Sequence, residues 1–245
     1  DGGIYYDVEV AYRHGMQMVD EGVDFIDVGG ESSRPGSDPV PIEEEIRRVL
    51  PVIERLAKAM SVPISIDTYK HEVAARALDA GAVIVNDISG LHFDTEVANV
   101  TAKHSATIVL MHTNGPPKTM QQDISYNNLI DDVADYLSEG ISRARNAGIQ
   151  QIIVDPGIGF GKTVDHNLQL LKHLGNFRRF GLPILVGPSR KSFLGPLLNL
   201  PVTERLEGTA GAVAASILNG ANIVRVHDVK EMRRVATVVD AIHRA

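Results

Sequence analysis

Seven short apolar runs, each closing on a polar residue or a glycine, constrain this chain more than any other feature. They lie in "DFIDVGG", "VPISIDTYK", "AVIVNDISG", "ATIVLMHTNG", "QIIVDPGIGFG", "LPILVGPSRKS" and "NIVRVHDVK". Continuous β-branched runs of this kind suit strands buried on both faces of a parallel sheet. Their ends fall near Asp27, Asp67, Asn86, His112, Asp155, Gly187 and His227, a mean spacing of about 33 residues, the length of one βα unit. Helical patterns fill the intervals, over 43–60, 71–80, 95–104, 128–147, 166–180, 205–219 and 229–243. Four of them end at a glycine, Gly81, Gly148, Gly181 or Gly220, as C-capped helices do. One more helix, over 8–21, precedes the first strand. A helix in that position belongs to a preceding strand, so the pattern predicts an α/β (β/α)8 TIM barrel whose first strand and first loop lie upstream of Asp1. A doubly wound open sheet is the competing architecture. With 245 residues and no linker or low-complexity stretch, a single barrel domain over 1–245 is expected.

Composition narrows the function. A net charge of −7 without a dense Lys/Arg run argues against a nucleic-acid partner. Apolar runs stop well short of the ~18 residues a membrane span needs. The opening "DGGIYYDVEV" has neither signal-peptide nor transit-peptide character. There is no cysteine, which excludes disulfides, thiolate metal sites and a cysteine nucleophile. The expected compartment is the cytoplasm.

Barrels build their active sites at the C-terminal ends of the strands. Those ends carry Asp27, Glu31, Ser33 and Arg34; Asp67 and Thr68; Asn86 and Asp87; Met111 and His112; Asp155; Ser189, Arg190, Lys191 and Ser192; Arg225, His227 and Asp228. Asp67, Asn86, Asp155 and Lys191 suit a flat heterocycle with a donor–donor–acceptor edge, because a carboxylate takes two parallel N–H groups and an amide offers both roles. Arg34, Arg225 and His227 suit a phosphate or pyrophosphate. The stretch "VDPGIGFGKT" imitates a nucleotide-binding loop, but a Walker A motif requires glycine where Pro156 stands, and a proline donates no N–H to a phosphate. The Rossmann spacing fails as well. What remains is a buried strand ending in Asp155 and a turn whose glycines let backbone come close to a ligand.

The motifs "DGG", "IDVGGESSRPG", "SIDTYK", "NDISG", "MHTNGPPKTMQ", "DPGIGFGK", "VGPSRKSFLG" and "RVHDV", in this order, resemble the dihydropteroate synthase family. The resemblance covers essentially the whole chain. It implies a TIM barrel that joins 6-hydroxymethyl-7,8-dihydropterin pyrophosphate to p-aminobenzoate, releases pyrophosphate and is inhibited by sulfonamides. It further implies Asp67, Asn86 and Asp155 as readers of the pterin edge, Ile88, Met111 and Gly187 as lining of that pocket, and Lys191 over the ring. By the same resemblance Arg225 and His227 bind pyrophosphate, assisted by Arg34. Ser33, Arg34 and Pro35 lie on a loop closing over p-aminobenzoate, with Phe160 and Ser192 walling that side. Asp67, Asp155, Lys191 and Arg225 are the expected catalytic set. Magnesium is implied as a cofactor, but the family's asparagine ligand falls upstream of Asp1, so no metal ligand is assigned. A homodimer is implied, with the helices over 205–219 and 229–243 as candidate contacts. The rival readings are a methyltetrahydrofolate:corrinoid methyltransferase-like pterin barrel, which needs neither "SRKS" nor the Arg225–His227 pair, and an inactive pterin-binding fragment.

Several polar residues read more simply as structural. Arg190 is expected to pair with a neighbouring acid and His112 to be a packed barrel histidine. Asp27 and Glu31 are expected to act through neighbours, and Lys118, Lys162 and Lys172 to be solvated charges. The remaining histidines lack metal-ligand spacing, so no zinc site is expected.

Overall fold

The seven apolar runs become seven parallel strands, with those at Ile84–Asp87 and Ile152–Asp155 buried along their whole length and that at Ile223–Val224 half-buried. The computed structural model describes residues 5–245, so the Asp1-Gly2-Gly3 of the first matched motif lies outside it. Helix α1 (Val8–Asp20) comes first, followed by β1 (Ile26–Gly29), α2 (Ile42–Ala59), β2 (Ile64–Asp67), α3 (His71–Asp79), β3 (Ile84–Asp87) and α4 (Glu96–Lys103). Then come β4 (Thr107–Met111), α5 (Leu129–Asn146), β5 (Ile152–Asp155), α6 (Val164–Lys172), β6 (Leu185–Val186), α7 (Leu194–Leu198), α8 (Leu206–Leu218), β7 (Ile223–Val224) and α9 (Val229–Arg244). Strands β1 to β5 pair in sequence order, and β6 pairs with β7. A bridge between Val154 and Ile184, with the Val154 N–H donating to the Pro183 carbonyl at 3.0 Å, joins the two sets. This is the βα succession of a TIM barrel, with α1 standing where the helix of an eighth unit belongs.

The expected helices form nearly where their patterns place them, and Gly81 and Gly220 end α3 and α8 at φ of +114° and +116°. One differs. The helix expected over 166–180 breaks at His173 into α6 and a 3-10 helix, Leu174–Phe180. Gly175 and Asn176 are poor helix formers, and the Asn176 N–H bonds back to His173 over the tighter three-residue span, at 3.0 Å. Helix α6 starts on a capping box between Thr163 and His166.

Two apolar layers result. The larger lies between strands and helices, where Ile26, Ile66, Val85, Leu110, Val154 and Val186 meet the inner faces of the helices. The smaller fills the barrel: Ile84, Val109, Ile153 and Leu185, with Phe25 and Ile223 packed against them. It forms an apolar floor beneath the strand ends. Among the described residues, no helix is long and apolar enough to cross a membrane.

Candidate active site

Side chains alternate along a strand, so the residue two positions past each floor residue points to the same side. Two past Phe25, Ile84, Val109, Ile153, Leu185 and Ile223 stand Asp27, Asn86, Met111, Asp155, Gly187 and Arg225. Asp67 joins them through its register with Asn86. Seven strands thus bring Asp27, Asp67, Asn86, Met111, Asp155, Gly187 and Arg225 to one mouth. Asp87 and His112 fall on the opposite face. The Asp87 carboxylate closes its own loop by accepting from the Ser89 N–H and hydroxyl and from the Leu91 N–H, each at 2.7 Å.

Charges at the mouth are interlocked. Arg225 donates through Nε to Asp27 at 2.7 Å and through Nη2 to Asp67 at 3.0 Å. Asn86 donates to the same Asp27 oxygen at 3.0 Å. Asp27 therefore orients both partners, as expected of a residue acting through its neighbours. Burial, with the charge of Asp27 adding to it, raises the pKa of Asp67 despite Arg225. Asp155 accepts the Gly157 N–H at 2.7 Å. Burial raises its pKa too, and Lys191 opposes the rise. Lys191 is pushed down to about 8 by burial, with Asp155 pulling the other way. Its ammonium donates to the Ile158 carbonyl and lies 4.6 Å from the centre of the Phe160 ring. Gly187 leaves the floor open beside it: a Cβ there would sit 3.9 Å from Lys191 Nζ. Ile88 and Met111 are buried.

Beside the lysine loop, on the neighbouring strand end, His227 leans on Ser189. Its backbone N–H donates to the serine oxygen at 3.2 Å, and its Nδ1 lies 2.8 Å from the same atom. Burial and the neighbouring Arg225 charge lower the imidazole to about 4, so the ring is neutral at pH 7. Arg190 binds Asp228 in a two-pronged pair at 2.8 and 2.5 Å, the structural role expected of it.

Ser33, Arg34 and Pro35 ride on the loop after β1. Glu31 anchors its base, accepting from the Val40 N–H, the Tyr69 hydroxyl and Lys70 Nζ at 2.7, 2.7 and 2.6 Å. Lys70 also donates to the buried Glu45 at 2.6 Å. The loop's outer contacts run to the segment after β4, from the Gly36 N–H to the Pro117 carbonyl at 2.9 Å and from Lys118 to Asp38 at 2.7 Å. Phe160 follows β5, and the exposed Ser192 precedes α7. The two halves of the expected p-aminobenzoate wall are thus carried on separate elements.

The structure corrects one of these expectations. Lys162 is not a solvated charge: it is 4% exposed and donates to His112 Nδ1 at 2.8 Å. Next to it, the glycines of "DPGIGFG" let backbone approach protein as well as an open mouth. A Cβ on Gly157 would overlap the His112 carbonyl, and one on Gly159 would sit 2.8 Å from Lys191 Cδ. His112 is packed, as expected, with its ring centre 4.8 Å from that of Tyr136. Spacing along the chain also overlooked His71, Glu72 and Asp94, whose ligand atoms lie within 4.8 Å of one another, although Asp94 already accepts from His71 Nδ1 at 2.7 Å. Arg205 went unnoticed as well. It supports the lysine loop by donating to the Arg190 and Lys191 carbonyls at 3.2 and 3.3 Å. An arginine opening a helix carries no sequence signal for that contact.

Residues 1–227 match the family described as pterin binding enzyme. The dihydropteroate synthase of Synechocystis sp. is 46% identical over 100% of this chain and 86% of its own length. The crystal structure of Yersinia pestis dihydropteroate synthase in a sulfonamide drug complex superposes with a TM-score of 0.97 at 41% identity, covering 100% of this chain and 90% of that one. The Clostridium difficile enzyme, crystallised in the presence of pteroic acid, gives 0.92 at 41% identity, covering 100% and 92%.

Proposed function

Because this chain belongs to the dihydropteroate synthase family of pterin-binding enzymes, we propose that its own mouth residues carry out that family's condensation in the way described here. The reaction joins 6-hydroxymethyl-7,8-dihydropterin pyrophosphate to p-aminobenzoate, giving 7,8-dihydropteroate and pyrophosphate. One observation carries the assignment of roles: Asp67, Asn86, Asp155 and Arg225 all occupy inward positions above one apolar floor, with Arg225 tied to Asp67. Asp67, Asn86 and Asp155 read the amino and ring N–H groups of the pterin, while Ile88, Met111 and Gly187 shape its slot. Lys191 covers the ring. Arg225 and the neutral His227 hold the pyrophosphate, and Arg34 reaches it from the loop after β1.

As the bond from the pterin methylene to pyrophosphate oxygen lengthens, negative charge grows on the leaving group and positive charge on the methylene. Arg225 meets the first and the carboxylates of Asp155 and Asp67 meet the second, in a pocket dry enough for such fields to act strongly. The amine nitrogen of p-aminobenzoate then bonds to the methylene carbon as the carbon–oxygen bond to pyrophosphate breaks, and its proton passes to water. Ser33, Pro35, Phe160 and Ser192 hold that second substrate, which sulfonamides mimic.

Magnesium fits this reading. Mg2+ prefers one or two carboxylate oxygens with substrate phosphates and water, and Asp27 Oδ1, beside Arg225, is buried without a hydrogen-bond partner among the described residues. A bound ion there would neutralise charge on the departing pyrophosphate.

Pyrophosphate release tests the function. It is expected to depend on p-aminobenzoate and to be inhibited competitively by a sulfonamide. Release that ignores the amine sinks the synthase reading. The same assay across pH is expected to give a bell in kcat/KM. An ammonium persists below its pKa, so the alkaline limb falls near pH 8 as Lys191 deprotonates. A carboxylate persists above its pKa, so the acid limb reports protonation of Asp155 and Asp67, both raised by burial. A rate still rising at pH 10 contradicts a role for the Lys191 ammonium.

The active form is a homodimer in this reading, and the reaction is cytoplasmic. Supporting the dimer is an apolar groove of about 390 Å³ where α6, α7 and α8 meet, with Leu168 and Leu197 exposed on it. Helix α8 is apolar nearly all round, as befits burial on two sides. Helix α9, the other expected contact, does not line the groove. Sedimentation is expected to give twice the monomer mass and Leu197→Glu to give monomers; a monomeric unaltered protein at micromolar concentration defeats the dimer.

A further inference from the structure

A buried lysine needs partners, since an ammonium out of water costs several kcal/mol if left alone. Lys162 finds them in neutral acceptors. Its Nζ donates to His112 Nδ1 at 2.8 Å, at the exit of β4, and to the Phe160 carbonyl at 2.9 Å. Burial lowers its pKa well below the ordinary lysine value, with the charge of Asp155 opposing the shift. The turn it belongs to is held by side chains at every carbonyl from 158 to 161. Lys191 holds Ile158, Gln121 holds Gly159 at 3.0 Å, Lys162 holds Phe160 and Tyr126 holds Gly161 at 2.8 Å. Lys191 and Lys162 grip carbonyls two residues apart, one from β6 and one from within the turn.

We propose that Lys162 is a positioning residue for the amine-side wall: by tying the Phe160 carbonyl to His112, it fixes the Phe160 ring beside Lys191 and so sets the fit of p-aminobenzoate. The inference rests on the assignment of Phe160 to that wall. Lys162 touches neither substrate. Its loss loosens the peptide that carries the Phe160 ring, while Asp155, anchored by the Gly157 N–H and by its place in β5, keeps its hold on the pterin.

The decisive experiment is Lys162→Met, which keeps the length and apolar stem and removes the donor. Amine-dependent pyrophosphate release by the unaltered protein is measured first; if it is missing, the functional reading fails and not this inference. In the variant, KM for p-aminobenzoate is expected to rise about tenfold or more, with the calorimetric Kd for a pterin ligand changing less than about threefold. An unchanged KM overturns the proposal. So does an equal loss for both substrates, which assigns Lys162 to charge support of Asp155 or to general stability. Should Lys162→Met not fold, the same split read on Lys162→Gln decides by the same criteria.

Discussion

Asp155→Asn is expected to lower turnover at saturating substrates at least about 100-fold while leaving the fold intact. The asparagine oxygen can still accept the Gly157 N–H that Asp155 holds at 2.7 Å, so the turn keeps its anchor. Only the negative charge is lost, the charge that the proposed function sets against the cation developing on the pterin. Lys191→Ala is expected to lose a similar factor. The side chain lies against the Phe160 ring and bonds the Ile158 carbonyl, so its removal disturbs both the ring cover and the amine side. Since the Asp155 and Lys191 charges act on each other, the double variant is expected to lose less than the product of the two factors. Stopped-assay kinetics with a circular dichroism check of folding measures all three. Near-normal turnover in either single variant removes that residue from the catalytic set.

Gly157→Ala is expected to be the most damaging small change for stability. Gly157 sits at φ +71°, and an added Cβ would overlap the His112 carbonyl. The left-handed backbone costs about 1–2 kcal/mol for an L-residue, and overpacking against backbone adds about 1–3 kcal/mol. For a chain of this length that corresponds to a fall in Tm on the order of 10 °C. Gly148→Ala is the control. Its φ is +91°, but nothing lies within 4 Å of the new Cβ, so only the backbone term applies. Equal melting shifts in the two variants refute the steric account of Gly157.

Much was legible from residue order alone. Seven apolar runs at a regular interval determined a parallel βα succession, because strands covered on both faces must be continuously apolar and each crossover needs a helix. Polar residues at the run ends determined where chemistry collects. Their types, with two carboxylates, an amide, a lysine and an arginine–histidine pair, pointed to a flat heterocycle with a donor–donor–acceptor edge and to a phosphate or pyrophosphate, and the family resemblance of the ordered motifs supplied the pterin. Glycines after the helices marked where four of them stop.

The same continuity hid what only the tertiary structure decided. A strand that is apolar on both faces shows no alternation, so nothing in the chain told which of two adjacent polar residues turns into the barrel. Register did: Asn86 faces the mouth and Asp87 turns away to close its own loop. Met111 faces inward, while His112 becomes an acceptor for Lys162. Lys162 itself looked solvated because lysine is seldom buried. It is buried because the glycines beside it let the β5 turn press against the loop from β4. Residue type set which chemistry was available to this chain, and the packing of neighbouring loops set which side chains are placed to perform it.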